Sequence, residues 1–290
     1  MSVYVECKTK ESALKNTGAK EQCLEGLFIK PFLSHPNFEF ETFEAAKDKD
    51  NWIQAIAQKK IIPLFDVEEL AAANTEDTLF EGRRKQYVTA KGKKVSTFSS
   101  FLSLCSFNAL KSYHGKDMQL FEFTEDGAIK AVHTSTNGLK GQGVVLNIGK
   151  RLDATADRPP SVLVTINYKD FNEFEDHGAI IRPDFSGDDL FGIFDAHIEQ
   201  VSATSTQINV KVTTGCSGGD APISGLTLAN FVVKNAAGQV QTVTFAEGSN
   251  GEYILTGENI ANGFTVSLNG VVTVEDISYE TVKPLIVVLS

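Results

Sequence analysis

Few residue patterns in this chain could carry chemistry. Residues 215–220, GCSGGD, have the letters of a serine-protease nucleophile loop, but that loop requires a histidine and an aspartate placed earlier on a double barrel. Gly138, Gly141 and Gly143 do not lie between a predicted strand and a predicted helix, as a phosphate-binding loop requires. We therefore interpret 215–220 as a turn, and we predict no catalytic residue, no enzyme activity and no cofactor.

A run of carboxylates at residues 170–195 is the second candidate. Its segment DFSGDD could offer oxygen ligands to calcium but lacks the D-x-D-x-D-G spacing of a calcium loop. A carboxylate pair for glycoside hydrolysis also stays open at the level of sequence. We favour a solvated or interfacial surface without a metal, called here the acidic strip: Asp170, Glu173, Glu175, Asp176, Asp184, Asp188 and Asp189.

The four cysteines, Cys7, Cys23, Cys105 and Cys216, form no C-x-x-C pair and have no histidine at metal-ligand spacing. We predict four reduced structural thiols, with Cys105 as a small hydrophobe in the apolar segment FLSLCSFNAL. A Cys7–Cys23 disulfide is the alternative, and it would need an oxidising compartment.

A cluster of positive charge between residues 83 and 94 contains no acidic residue. On a predicted hairpin, lysines of this kind can protect an edge strand from aggregation. They can also meet the acidic strip of a neighbouring copy, since opposed charges fix register and partner choice, and nucleic-acid binding is a third option. We call this cluster the basic strip: Arg83, Arg84, Lys85, Lys91, Lys93 and Lys94.

Length, charge and hydropathy limit the classes of protein to which the chain could belong. The chain has 290 residues, enough for about two domains. Its formal net charge of −10 disfavours a protein that grips nucleic acid with its whole surface. No apolar run approaches the length of a membrane span, and the start MSVYVECKTKESALK has no apolar core of a secretory signal.

The periodicity of residues 1–195 predicts an α+β domain, in which helices flank an antiparallel β-sandwich or barrel. Residues 1–75 are expected to be irregular or helical, with a helix over 42–60, and residues 76–195 to be rich in strands. A second helix is expected within 99–115, with Ser100 as its cap and Gly115 at its end. Glu125-Asp126-Gly127 predicts a hairpin turn, and the acidic run 170–195 is interpreted as the end of the first domain and a connector.

Residues 196–290 are all-β by pattern. Seven short alternating segments are separated by turn sequences such as NAAGQ and GSNG, which is typical of an immunoglobulin-like β-sandwich. The segments are HIEQVSAT, TQINVKVTT, LANFVVKN, VQTVTFAE, GEYILTG, GFTVSLNG and VKPLIVVLS.

The order of these elements resembles that of tailed-phage virion proteins, in particular major tail (tail-tube) proteins that end in an immunoglobulin-like domain. The resemblance lies in residues 78–175, which run strand, helix (FSSFLSLCSFNALKSY), hairpin (MQLFEFTEDGAIKAV), loop and strand (SVLVTINYKDFNEF), and in the segments of 196–290. NWIQAIAQKKIIPLFDVEE and EDTLFEGRRKQYVTAKGK are similar to structural proteins in phages of Bacteroidetes-type hosts.

The resemblance implies a virion subunit, made in the host cytoplasm, that polymerises into stacked rings around a DNA conduit. Its expected partners are copies of itself and other virion proteins, with viral DNA passing as non-specific cargo and no membrane involved. An acidic lumen would repel DNA phosphates, and the net charge of −10 agrees with that. The alternatives are a capsid decoration or head-fibre protein, and a surface-binding module with an immunoglobulin-like domain.

Overall fold

The structure is a computed structural model that describes residues 26–136, 138–215 and 221–289, and the backbone of residues 4–6. It is rich in β-strands with a few short helices, an α+β fold as predicted. The described chain separates into two compact units whose boundary falls between Leu190 and Phe191, with residues 56–58 grouped with the second unit. Each unit has its own hydrophobic core and is described by itself.

The first unit is built on one large antiparallel sheet with the strand order β1-β13-β9-β8-β11-β12-β7-β4, beside which β2, β3 and β10 pair. Four helices accompany it, α1 to α4. The elements are β1 Tyr4–Glu6, β2 Phe28–Ser34, α1 Phe43–Lys47, α2 Lys49–Ala57, β3 Ile61–Pro63, β4 Glu69–Ala72, β5 Thr78–Glu81, β6 Gln86–Ala90, β7 Val95–Phe101, α3 Leu104–Lys111, β8 Asp117–Thr124, β9 Ile129–His133, β10 Leu139–Lys140, β11 Gln142–Leu152, β12 Ser161–Tyr168, α4 Glu173–His177 and β13 Gly178–Ile181.

Strand β8 is the branch point of this sheet. It pairs with β2 along Gln119–Thr124, while residues 117–120 pair with β11 and residues 122–123 pair with β9. Sheet neighbours flank both of its edges, and nearly all of its side chains are buried. The predicted hairpin between β8 and β9 is confirmed, and Gly127 takes the positive φ of 75° that its turn requires.

An aromatic cluster around Trp52 packs between α2 and the strands. The indole is fully buried, and its Nε1 donates to the carbonyl of Ala46 at 2.8 Å. The centroids of the neighbouring rings lie 4.9 to 5.7 Å away, and these rings are Phe32, Phe40, Phe121 and Phe123. The single helix predicted over 42–60 is broken at Asp48, whose ψ of 117° is extended, and so α1 and α2 are separate helices.

Two sequence predictions about the helix α3 are wrong. Ser100 lies inside β7 and donates to the carbonyl of Asp66, while Ser103 accepts from the backbone of Ser106 and caps α3. The strand continues past Ser100 because β12 pairs with it up to Phe101. Cys105 is exposed rather than buried, since it faces away from the core that Leu102 and Leu110 enter.

Segments expected to lie outside the sheet are part of it. Residues 170–195 contain α4 and β13, and β13 pairs with β9. This part of the run therefore belongs to the end of the first unit, as interpreted, but it is not a connector. Among residues 1–75, β2 is a buried strand paired with β8, so the described part is not merely irregular or helical. Short strands such as Gly178–Ile181 show too little alternation to be recognised, and their burial comes from distant neighbours.

One continuous ribbon leaves the sheet. Strand β4 pairs with β7 at the edge of the sheet, from Glu69↔Ser99 to Ala72↔Ser96. The pairing continues through a Thr75↔Lys93 bridge into β5 and β6, which pair only with each other. We call residues 75–93 the arm; its strand from Thr75 to Glu81 is about 20 Å long at the usual rise per residue.

The second unit contains two main sheets over one core. The larger has the order β18-β19-β15-β14-β22-β21 with β16 beside β15, and the smaller has the order β17-β20-β23. Each of the seven predicted segments contains a strand, which confirms that part of the prediction. The strands are β14 Ile193–Ala203, β15 Gln207–Thr214, β16 Ala221–Pro222, β17 Phe231–Lys234, β18 Thr244–Glu247, β19 Glu252–Thr256, β20 Thr265–Leu268, β21 Val271–Val274, β22 Ile277–Thr281 and β23 Leu285–Ile286.

The hairpin of β21 and β22 was not anticipated from sequence. Its two turn residues, Glu275 and Asp276, have φ values of 47° and 67°, which is the conformation of a tight hairpin turn. Asn-Gly or Asp-Gly is the usual signal for that turn, and Glu-Asp does not carry it. Strand β22 also pairs in parallel with β14, from Ile193↔Ser278 to Ala196↔Thr281.

We expect Phe121→Ala to destabilise the protein by about 3–5 kcal/mol, because it opens a cavity beside Trp52. Phe80→Ala is the matched control, since Phe80 is 60% exposed on the arm, and its effect should stay within about 0.5 kcal/mol. Urea unfolding followed by the fluorescence of Trp52, the only tryptophan, measures both. Equal effects would contradict this description of the core.

Candidate assembly interface

The arm is a two-stranded ribbon, and among the described residues its strands β5 and β6 pair with no other strand. Every residue of β5 and of β6 is exposed. At the tip, the backbone N–H of Gly82 donates to the carbonyl of Lys85 at 3.0 Å, and Arg83 and Arg84 lie between them. A lone hairpin of this kind is marginally stable in water, so the arm has little stability of its own.

The base of the arm is fixed by close backbone packing. Gly92 donates its N–H to the carboxylate of Asp77 at 2.6 Å. A Cβ added to Gly92 would lie 2.2 Å from the carbonyl oxygen of Thr75, so only glycine fits. The sheet therefore determines where the arm begins, although it does not cover the arm itself.

Each face of the arm carries an apolar cross-strand pair. Leu79 lies opposite Val88 on one face, and Phe80 lies opposite Tyr87 on the other. Their exposed fractions are 49% and 54% for the first pair, and 60% and 49% for the second. Apolar side chains exposed together on both faces of a thin ribbon are typical of a surface that a partner covers.

Five of the six residues of the basic strip lie on the arm. Arg83, Arg84 and Lys85 are at the tip, and Lys91 and Lys93 are near the base. Lys85 stacks over the ring of Tyr87, with Nζ 4.8 Å from the centroid. Among the described residues, the side chains of Arg83 and Arg84 form no ion pair, so their charges face solvent.

Lys94, the sixth residue of the strip, lies elsewhere. Its side chain is half-buried, and Nζ donates to Oε1 of Gln142 at 3.1 Å. The same Nζ lies 4.2 Å from the centroid of the Tyr168 ring. Burial lowers the pKa of Lys94, and the nearby Glu122 carboxylate opposes that shift.

The acidic strip divides into several local roles. Glu173 accepts from the backbone N–H of Gly143 at 2.7 Å and pairs with Lys140 at 3.1 Å. Asp170 accepts from the N–H of Asn172 ahead of α4. Glu175, Asp176 and Asp184 remain exposed at the surface.

The last two acids of the strip stabilise the loop before the second unit. Asp188 pairs with Lys30 at 3.0 Å. Asp189 accepts from the N–H and the hydroxyl of Ser186, and these two hydrogen bonds lower the pKa of its carboxyl. The strand β13 lies between Glu173 and Asp188 in the chain, and a shared surface for the acidic strip stays a prediction.

A buried polar cluster lies on the sheet next to α4. Glu122, only 5% exposed, accepts from the hydroxyl of Tyr168 at 2.6 Å and from Nε2 of Gln142 at 3.2 Å. Burial, and secondarily the charge of Glu122, raise the pKa of Tyr168. Lys130 approaches Glu122 to 3.9 Å, which supplies a positive neighbour for the buried carboxylate.

A metal site and a membrane-spanning helix are two further features for which the described residues were predicted to offer no basis. In the part of the chain that the structure describes, no three His, Cys, Asp or Glu side chains converge as a metal site. None of the described helices is long and apolar enough to cross a membrane. Residues 216–220 of the GCSGGD segment, and Cys7, Cys23 and Cys216, lie outside the described residues, so the turn and thiol predictions stay predictions.

The apolar pairs of the arm are the feature that sequence reasoning missed. Leu79-Phe80 and Tyr87-Val88 flank the basic tip symmetrically, and that symmetry was the available signal. Two adjacent apolar residues on a strand necessarily point to opposite faces. In an ordinary edge strand one of those faces would be buried, so the pattern alone did not indicate a free ribbon.

Comparisons with known proteins give no family to which the chain can be assigned. No family model matches the sequence, and neither a curated protein nor a solved structure matches it.

We expect trypsin to cut the unassembled protein first, within residues 26–289, at Arg83, Arg84 or Lys85, because the arm tip is exposed and marginally stable. Limited digestion with peptide mapping measures the order of cleavage. The triple variant Arg83→Gln, Arg84→Gln, Lys85→Gln should lose this first cut and keep the later ones. A first cut in the main sheet would contradict the description of the arm.

Proposed function

We propose that this chain is a structural protein of a tailed-phage virion: a tail-tube subunit whose copies polymerise into stacked rings around a DNA conduit. The observation that carries the proposal is the arm, a basic ribbon with an exposed apolar pair on each face. Such a ribbon gains stability when a partner covers it. Neither a metal nor a cofactor is needed for that role.

Charge supports a second copy of the chain as the partner. The arm carries five cations and three acids, Glu76, Asp77 and Glu81, for a net charge of 5 − 3 = +2. The whole chain carries −10, so the remainder carries −10 − 2 = −12. An arm of one sign that extends from a body of the other sign fits the body of a neighbouring copy.

Contact between unlike surfaces also explains why a polymer would result. When an arm docks on a different surface of the next copy, every copy keeps one free arm and one free docking surface. Such head-to-tail contacts close into rings or continue as filaments. Glu175, Asp176 and Asp184, three exposed acids of the acidic strip, are the docking partners that we propose for the arm.

For the second unit we propose an immunoglobulin-like domain on the outside of the assembly. Its two sheets of mostly antiparallel strands enclose a core that includes Val210, Tyr253 and Val266, which supports a sandwich of that kind. The larger sheet also contains a parallel pairing of β14 with β22, and β21 pairs with the other edge of β22.

Negative-stain electron microscopy with light scattering of the purified full-length chain tests the proposal. Hollow tubes or rings of uniform diameter are expected. A stable monomer or trimer at every concentration would overturn the tube and favour a capsid decoration or head-fibre protein, which binds a shell instead of polymerising. A monomer that binds glycans would favour a surface-binding module.

Charge reversal at the arm tip should block polymerisation while the monomer stays folded. The variant is Arg83→Glu, Arg84→Glu, Lys85→Glu, and its tip would repel an acidic docking surface. The matched control, Lys60→Glu, Lys111→Glu, Lys150→Glu, makes the same total change of charge at exposed sites outside the arm and should polymerise. Electron microscopy checks this prediction. If the tip variant forms normal polymers, the charges of the arm do not determine how neighbouring copies align.

The apolar pairs should matter independently of charge. We expect Phe80→Ser with Tyr87→Ser to abolish polymers at both low and high salt, because burial of apolar area is insensitive to screening. The tip-reversal variant should instead respond to salt, since screening weakens exposed charge repulsion. Sedimentation across a salt series distinguishes the two, and identical salt profiles would contradict this division of roles.

A further inference from the structure

A lysine, an amide and a carboxyl are connected in one short chain of hydrogen bonds inside the first unit. Nζ of Lys94 donates to Oε1 of Gln142 at 3.1 Å. Nε2 of Gln142 donates to Oε1 of Glu122 at 3.2 Å. Lys94 immediately precedes β7, Gln142 begins β11 and Glu122 lies in β8, so the sheet itself fixes their relative positions.

The network determines which way the Gln142 amide points. An ammonium group can only donate, so the amide oxygen must face Lys94. A carboxylate can only accept, so the amide nitrogen must face Glu122. The carbonyl carbon Cδ therefore lies one bond from the atom that Nζ contacts, and Nε2, the group that would leave, lies against a carboxyl.

The surroundings suit a reaction between an amine and an amide. Gln142 is 2% exposed and Glu122 is 5% exposed, so water is largely excluded. Nζ of Lys94 lies over the Tyr168 ring and 5.5 Å from the centroid of Phe174. Burial lowers the pKa of Lys94, which raises the fraction of neutral, nucleophilic amine.

We propose that the chain forms an intramolecular isopeptide bond between Lys94 and Gln142, with Glu122 as the group that transfers the proton. This autocatalytic cross-link is independent of the proposed tail-tube function. It would create a covalent tie between the base of the arm and the centre of the sheet. The fold holds the nucleophile, the electrophile and the proton carrier together. The reaction therefore avoids the loss of translational and rotational entropy that two separate molecules would incur.

The reaction is balanced without any co-reactant. Neutral Nζ attacks Cδ, the Nζ–Cδ bond forms, and the Cδ–Nε2 bond breaks. The proton that Nζ loses passes through the Glu122 carboxyl to Nε2, which departs as ammonia. Glu122 already contacts Nε2, within the distance that a general acid–base group needs.

The other partners of Glu122 act as positioning residues. The hydroxyl of Tyr168 donates to the same Oε1 at 2.6 Å, which holds the carboxyl in place. Lys130 lies near Oε2, on the other side of the carboxyl, at 3.9 Å. Lys140 pairs with the Glu173 carboxylate, whereas Lys94 is the lysine whose Nζ donates to the Gln142 amide.

Intact mass spectrometry of the purified full-length protein under denaturing conditions tests the bond. The expected mass is that of the sequence minus one ammonia molecule. A protease digest should then yield a branched peptide that joins residues 94 and 142, with no tryptic cleavage after residue 94. On a denaturing gel the cross-linked chain should migrate faster than an uncross-linked one, because it contains a closed loop.

Two variants separate this bond from other losses of ammonia. Lys94→Arg keeps the positive charge but removes the nucleophilic amine, and Glu122→Gln keeps the shape but removes the carboxyl. Both should recover the full sequence mass. Succinimide at an Asn-Gly pair such as Asn269-Gly270 also releases ammonia, and that loss would persist in Lys94→Arg.

Each outcome decides the proposal. The ammonia loss, mapped to residues 94 and 142 and absent from Lys94→Arg, would support it. Full sequence mass in the folded wild-type protein after prolonged incubation would overturn it, as would a loss that persists in Lys94→Arg or a branched peptide at other residues. If the variants fail to fold, as circular dichroism would reveal, the wild-type mass and its peptide map still decide.

Discussion

The continuous pairing of one ribbon, residues 69–101, underlies both the sheet and its proposed interface. Inside the sheet, β7 has β12 on its other edge, and the ribbon is supported from the side. Beyond Thr75 that support ends, although the ladder between the two strands continues. A two-stranded ribbon without a supporting layer exposes both faces, so its apolar pairs and its cations are presented to solvent together.

The charges of the chain are organised by contact rather than by sequence run. Lys94 and Glu173 belong to strips of opposite sign in sequence, yet both enter the same interior region near α4. A buried carboxylate such as Glu122 is tolerated only when hydrogen bonds and opposite charge compensate its lost hydration. Lys130, Tyr168 and Gln142 provide this compensation around Glu122. Lys94 lies in the same interior region, and the other five residues of the basic strip lie on the arm.

Local signals predicted the elements that have local causes. The β8–β9 hairpin follows from its turn sequence, with Gly127 at a positive φ of 75°. Gly115 also has a positive φ, of 70°, but α3 ends at Lys111 with Ser112 as its C-cap, so the prediction that Gly115 ends this helix is wrong. The strands of the second unit follow from alternation. By contrast, β2 and β13 are short and depend on distant partners, while Glu275-Asp276 forms a tight turn without the usual glycine. Their conformations are imposed by pairing, which no local pattern records.

By itself, the sequence determined an α+β chain rich in strands, an all-β segment after residue 196, and a basic cluster on a hairpin between residues 83 and 94. These follow from periodicity, turn residues and composition, which act over a few residues at a time. The tertiary structure decided which charges are free, that the arm leaves the sheet, and that Lys94 meets Gln142 and Glu122. Those outcomes depend on strand pairings between residues far apart in sequence, because burial and strand register are properties of the whole fold.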